Sequence, residues 1–137
     1  MCRFATQVAA PQVSFHRVAM SDGAQLWTIV IDPNPSAGRR PAVLARSPYG
    51  PTSQNMADIF ALTNGHVAVL QDDEGTWRSN GTFDLWRRDR QDAVETLQWI
   101  TQQPWSNGDV YTVGASADGI STITLVMEAP VALKAQA

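Results

Sequence analysis

The sequence is poor in the residues that build cross-links and metal sites. Among 137 residues there is one cysteine, Cys2, and two histidines, His16 and His66. A single thiol forms no internal disulfide. One Cys and two His are too few for an ordinary structural zinc site, so no metal is expected. Long apolar runs are also missing. None approaches the roughly 18 residues that a membrane-spanning helix needs. The opening "MCRFATQVAAPQ" has one Arg but lacks an apolar core of about 7 residues, so no secretory signal is expected and a cytoplasmic location is the default. Charge of one sign is scarce. The formal net charge of -3 gives no electrostatic reason for a nucleic-acid partner. The basic "RRDR" is broken by Asp89 and suits pairing along a helix. No Gly-x-Gly-x-x-Gly follows an early strand, which removes a dinucleotide-binding reading and leaves no cofactor to expect. Repeats and low-complexity segments are absent as well.

What remains is a globular balance, 44% apolar and 17% charged. A chain of this length suits one domain that buries roughly two thirds of its unfolded surface. Asp22-Gly23 between "QVSFHRVAM" and "LWTIVIDP" predicts a β-hairpin. "NPSAGRRP" is a loop. "AVLARSPYG" is a buried strand that turns at Pro48, residues 54–64 a short helix, and "HVAVLQDD" another buried strand. The spacing of Ala93, Leu97 and Ile100 predicts a helix over 84–103, capped by Thr82 or Asp84 and stopped by Pro104. Asp84/Arg88 and Arg88/Asp92 are four apart and suit ion pairs along that helix. "DVYTVGA" is a strand, "DGISTITLVMEA" a helix, and "VALKAQA" the start of one more strand. A hairpin followed by alternating strands and helices implies a mostly parallel sheet flanked by helices. Residues 1–11 form an N-terminal extension and 12–137 the domain.

The segment "GASADGIST" follows a predicted strand and opens a predicted helix. A serine there stands at the carboxyl edge of the sheet, where open α/β folds place their sites. The next backbone N–H groups lie at a helix N-terminus and can face developing negative charge. The pattern is Gly-x-Ser-x-x-Gly, with Asp118 where the usual nucleophile elbow has glycine. On these residues alone Ser116 is either a nucleophile or a cap in a tight turn. Tyr49 reads as a turn aromatic, and Asp118 as an acid at the positive end of a helix. Trp77, Trp86, Trp99 and Trp105 read as core or loop packing, with Trp77 able to reach a pocket.

Several segments occur together and in order: "MSDGAQL", "RSPYG", "NGHVAVLQDDEG", "RSNGTF", "DAVETLQWITQQPWSNGDVYTVGASADGI" and "ALKAQ". The series resembles the N-terminal half of the catalytic domain of the Xaa-Pro dipeptidyl-peptidase-like hydrolases, a family that includes cocaine esterases, acylases and α-amino-acid ester hydrolases. The resemblance spans about residues 12–136. It implies a partial α/β-hydrolase fold whose C-terminal part is missing. It implies a serine hydrolase of esters, amides or peptides working through an acyl-enzyme. By position, Ser116 is the nucleophile, the Ala117 backbone N–H one oxyanion donor, and the Tyr49 hydroxyl the other. "QDDEG" departs from the family's Gln-Asp-x-Arg-Gly: Glu74 replaces the arginine, which puts any ion pair there in doubt and leaves Asp72 as a structural carboxylate. His66 stands where the family usually has an aromatic. The triad Asp and His follow the nucleophile in this family, yet no histidine follows Ser116 here. The isolated chain is therefore expected to be almost inactive. The alternative expectation is a non-catalytic module that binds a partner or self-associates through an open sheet edge.

Overall fold

The computed structural model describes residues 10–50, 64–128 and 131–136. Strand β1 (Gln12–Ala19) and strand β2 (Gln25–Asp32) form the hairpin. Gly23 at the turn has φ +95°, a conformation that favours glycine, and Asp22 Oδ1 accepts the Ala24 N–H at 2.9 Å. Strands β3 (Arg40–Ser47), β4 (Val67–Asp72), β5 (Ser106–Thr112) and β6 (Leu133–Gln136) follow, with helix α1 (Asp89–Thr101) before β5 and helix α2 (Ala117–Glu128) after it. The helix expected over 54–64 lies outside the described residues.

The six strands stand in the order β1-β2-β4-β3-β5-β6. Only β2 runs against its neighbours; β4, β3, β5 and β6 pair in parallel. Parallel strands need both faces covered, and the residues of β3 and β4 are correspondingly buried almost throughout. On one face Ala42, Leu44, Val67, Val69 and Val110 meet Ala93, Leu97 and Ile100 of α1 and Leu125 of α2. On the other, Val43, Ala45, Ala68 and Leu70 form a second cluster. Trp99 and Trp105 pack against the first cluster, as core aromatics should.

Three expectations need correction. Helix α1 starts at Asp89 rather than Asp84, because Leu85 and Trp86 sit at φ +58° and +65°, where no right-handed helix can pass. Asp84 instead accepts the Arg87 N–H at 3.0 Å in a local turn, and Arg88 occupies the N-cap without a side-chain cap bond. The expected pairs along the helix do not form. Arg88 turns to Asp22 at 3.0 Å and Glu74 at 3.4 Å, while Asp92 faces the interior. Strand β5 also begins early, at Ser106; Gly108 at φ +94° and a shift in the β3–β5 register absorb "SNG" without breaking the strand.

The apolar face ends in a polar layer at the carboxyl ends of the strands. Gln71 of β4 donates to Thr28 Oγ1 of β2 at 3.0 Å, and its Oε1 accepts Arg46 Nε of β3 at 2.9 Å and Thr96 Oγ1 of α1 at 2.9 Å. The guanidinium of Arg46 is fully buried. It donates to the carbonyls of Asp89 (3.0 Å) and Ser121 (3.1 Å) and pairs with the carboxylates of Asp89 (3.2 Å), Asp73 (3.7 Å) and Asp92 (3.8 Å). Removing one partner from such a cluster leaves charges buried without compensation. Arg46→Met is expected to cost about 3–5 kcal/mol of folding stability, seen as a lower midpoint in urea unfolding. An unchanged midpoint would show that the cluster contributes nothing.

Candidate active site

Three loops leave the carboxyl ends of neighbouring parallel strands and meet at one edge of the sheet. They follow β4, β3 and β5 and carry Trp77, Tyr49 and Ser116.

The β5 loop is the tightest. A Cβ on Gly114 would lie 2.6 Å from the carbonyl of Asp118 and 2.8 Å from Gly119 N, and a Cβ on Gly119 would lie 2.9 Å from Gly114 O. Strand end and helix start therefore cross at a distance that only glycines at both points allow. This accounts for the spacing Gly-x-Ser-x-x-Gly: Gly119 faces Gly114. Between them Ser116 is held at φ +59° and is exposed. A non-glycine residue pays roughly 1–3 kcal/mol for that conformation. An ordinary N-cap serine takes extended backbone angles. Among the described residues, Ser116 Oγ accepts no N–H from the first turn of α2, although Ser116 O accepts the Ile120 N–H at 3.1 Å. Ala117, buried, opens the helix. Its N–H is one of the first four, which have no acceptor within a helix.

The β3 loop is tied to the elbow through Ser47. Its hydroxyl donates to Asp118 Oδ1 at 2.7 Å and accepts the Tyr49 N–H at 3.0 Å. Asp118 is thus a strut between two loops, at the positive end of α2. Tyr49 itself is exposed, with 56% of its surface open.

The β4 loop is braced by acids. Asp72, buried at the strand end, accepts the Arg78 N–H at 3.4 Å. Glu74 accepts the Thr82 N–H at 3.0 Å and lies against Gly81 so closely that a Cβ there would be 2.2 Å from its Oε1. An ion pair does survive here with its partners changed: the acid at 74 meets Arg88. Asp73 accepts the Ser121 hydroxyl at 2.6 Å, which joins this loop to the elbow helix.

Both histidines are remote from the elbow. His16 lies on β1, the far edge strand, with its ring edge-on to Trp99 at 5.2 Å. His66 precedes β4 at the opposite end of the strands and stacks on Tyr111 at 5.6 Å. No group of His, Cys, Asp or Glu suited to a metal ion occurs among the described residues. No described helix is long and apolar enough to cross a membrane. The Arg46 cluster was not anticipated from the sequence. The signal was an arginine at the end of an otherwise apolar buried run, "AVLAR".

The strand order, the crossovers and a serine in a strained strand-to-helix turn define an α/β-hydrolase fold. A family model described as X-Pro dipeptidyl-peptidase (S15 family) matches residues 22–137, and the chain belongs to that family. Cocaine esterase of Rhodococcus sp. (strain MB1 Bresler) is 32% identical, over 76% of this chain and 19% of that protein. An aminopeptidase from a marine-sediment archaeon, Thaumarchaeota archaeon, superposes with a TM-score of 0.82 at 23% identity, over 99% of this chain and 26% of that one. An α-amino acid ester hydrolase does so with a TM-score of 0.82 at 24% identity, over 99% and 26%. The chain thus spans about a fifth to a quarter of the length of these relatives.

The acids below the elbow are unusual in charge. Burial drives the Asp92 carboxyl up to about 7 against the pull of Arg46, and Asp89 up to about 6 for the same reason. Burial raises Asp73 too, although Arg46 and the Ser121 hydroxyl oppose it. Neither Asp92 oxygen accepts a hydrogen bond among the described residues, as suits a carboxyl that keeps its proton. A raised carboxyl binds its proton more tightly folded than unfolded. The stability it contributes is complete below about pH 4 and is lost as the pH rises through 6 and 7. The urea midpoint is therefore expected to fall between pH 5 and pH 8, and to fall less in Asp92→Asn. A slope unchanged in that variant would clear Asp92 of the effect.

Proposed function

We propose that Ser116 is the nucleophile of a serine hydrolase that cleaves esters or amides through an acyl-enzyme. The observation that supports this most directly is the strained φ of Ser116 in a turn that two glycines make possible. The membership in a peptidase family and the likeness to esterases and an aminopeptidase agree with it. On this reading Ser116 Oγ attacks the substrate carbonyl carbon. The oxyanion accepts hydrogen bonds from the Ala117 N–H and the Tyr49 hydroxyl, and its collapse expels the alcohol or amine. Water then hydrolyses the acyl ester. A phenol suits the second donor because it gives a short hydrogen bond without charge.

The step lacks a histidine base, since His16 and His66, the two histidines of the sequence, both stand elsewhere and none follows Ser116. An elbow and oxyanion hole without their base keep roughly 10³–10⁴-fold catalysis over water, several orders below a complete triad. The chain is expected to react slowly with a fluorophosphonate, at Ser116 and not in Ser116→Ala, and to turn over p-nitrophenyl acetate only weakly. Labelling spread over other serines would defeat the assignment of Ser116. Fast turnover would defeat the missing base.

A second reading, a non-catalytic module that binds a partner or its own copy, draws on a different observation. Ile120, Ile123 and Met127 form an exposed apolar stripe on α2, beside Val131 and the edge strand β6. It expects sedimentation to show concentration-dependent association. A single monomeric species that unfolds cooperatively would count against it.

A further inference from the structure

Trp77 occupies its place against two local preferences. Its φ is +44°, a region that favours glycine, and 68% of its large apolar surface is open to water. Neither preference is relieved by looseness of the loop, because the residues on both sides are fixed. Arg78 donates its N–H to Asp72, gives its carbonyl to Arg17 at 3.0 Å, and lays its guanidinium over Trp27 at 5.3 Å. Ser79 accepts the Trp27 N–H at 2.8 Å and donates to Asp72 O at 2.8 Å. Asn80 donates its N–H to Gln25 O at 3.2 Å, which fastens the loop to β2. On the other side, Thr76 N–H and Thr76 Oγ1 both donate to Asp73 O, at 3.1 and 2.8 Å. The loop is hydrogen-bonded on both sides of Trp77, and its tip presents an indole.

One face of that indole has a known neighbour. A Cβ placed on Gly50 would lie 2.5, 2.6 and 2.8 Å from Cε2, Cδ2 and Nε1 of Trp77. Three adjoining ring atoms at nearly one distance mean that the ring lies flat over Gly50. Gly50 follows Tyr49 directly and sits at φ +78°. The exposed surface of the ring therefore lies away from Gly50, and the ring as a whole sits one residue from Tyr49, the residue proposed to hold the oxyanion. Strained backbone held by its surroundings gathers at functional sites. An aromatic face at such a spot favours a second flat group, stacked or edge-on.

We infer that Trp77 is a specificity-determining residue, a fixed stacking wall for an aryl group carried by the ester or amide substrate. The inference rests on the reading of Ser116 and Tyr49 as the reacting site, and its test separates the two. Trp77→Gly removes the ring and relieves the backbone, so the fold is kept. Phosphonate probes carry a phenyl group either on the part retained at phosphorus or as the departing phenoxide, each beside a propyl counterpart. Comparing each probe between the unaltered chain and Trp77→Gly cancels its intrinsic reactivity. At least one phenyl probe is expected to label Ser116 about 2- to 10-fold more slowly in Trp77→Gly. The propyl probes should be unaffected, and Trp77→Phe should restore most of the rate. Equal rates for every probe in both proteins overturn the inference. If Ser116 is not labelled at all, the hydrolase reading fails, and Trp77 is decided by NMR. Benzamide added to Ser116→Ala should shift the Trp77 indole N–H saturably, where acetamide does not. No such shift overturns the wall independently of any chemistry at Ser116.

Discussion

A fully buried guanidinium has to be answered by its surroundings, and in this chain the answer organises the fold. From β3, Arg46 reaches Gln71 on β4, Asp73 in the loop beyond it, Asp89 and Asp92 on α1, and the Ser121 carbonyl on α2. One positive charge faces three acids. Full ionisation would leave the cluster strongly negative in a dry interior, so burial raises the carboxyls until protons make up part of the difference. The cluster is therefore a clamp whose strength depends on protonation. It lies where sheet, helices and loops converge.

The loops above the clamp inherit their positions from it. Asp73 takes the Ser121 hydroxyl, so the β4 loop is joined to the helix that carries the elbow. Asp118 takes the Ser47 hydroxyl, so the β3 turn is joined to the same helix. Tyr49 hangs from Ser47, and Trp77 lies on Gly50. Three loops that are separated in sequence are in this way referred to one short helix and to one buried charge. Exposed side chains at the sheet edge can then be held in place without a core of their own.

Much of this was legible in the sequence, for reasons of different strength. Hairpin and strands were readable because Asp22-Gly23 and the apolar runs are local signals that tertiary contacts reinforce. The start of α1 was not, since Asp84 and Thr82 have good capping chemistry and only the left-handed Leu85 and Trp86 rule them out. The residues paired with Arg88 were misread because Asp84 lies before the helix begins and Asp92, inside it, faces the interior. The placement of the candidate residues was legible: Ser116, Ala117 and Tyr49 all fall at the carboxyl edge of the sheet. Its support was not, because nothing local in "ARS" or "DAVE" says that Arg46 and Asp92 face each other across the interior. The spacing of the glycines was visible from the start, but its cause, a backbone crossing too close to admit a Cβ, needs three dimensions.

That crossing has an evolutionary corollary. Every change that replaces glycine by another residue adds at least a Cβ. At Gly114 and Gly119 a Cβ meets backbone rather than a side chain that could swing aside. The turn therefore has no graded neighbours in sequence space. Size and polarity can drift by small steps on the surface of α2, but at these two points the first step already spans the whole distance between fitting and not fitting. Lineages of this domain can vary what surrounds the serine far more freely than the bend that lifts it.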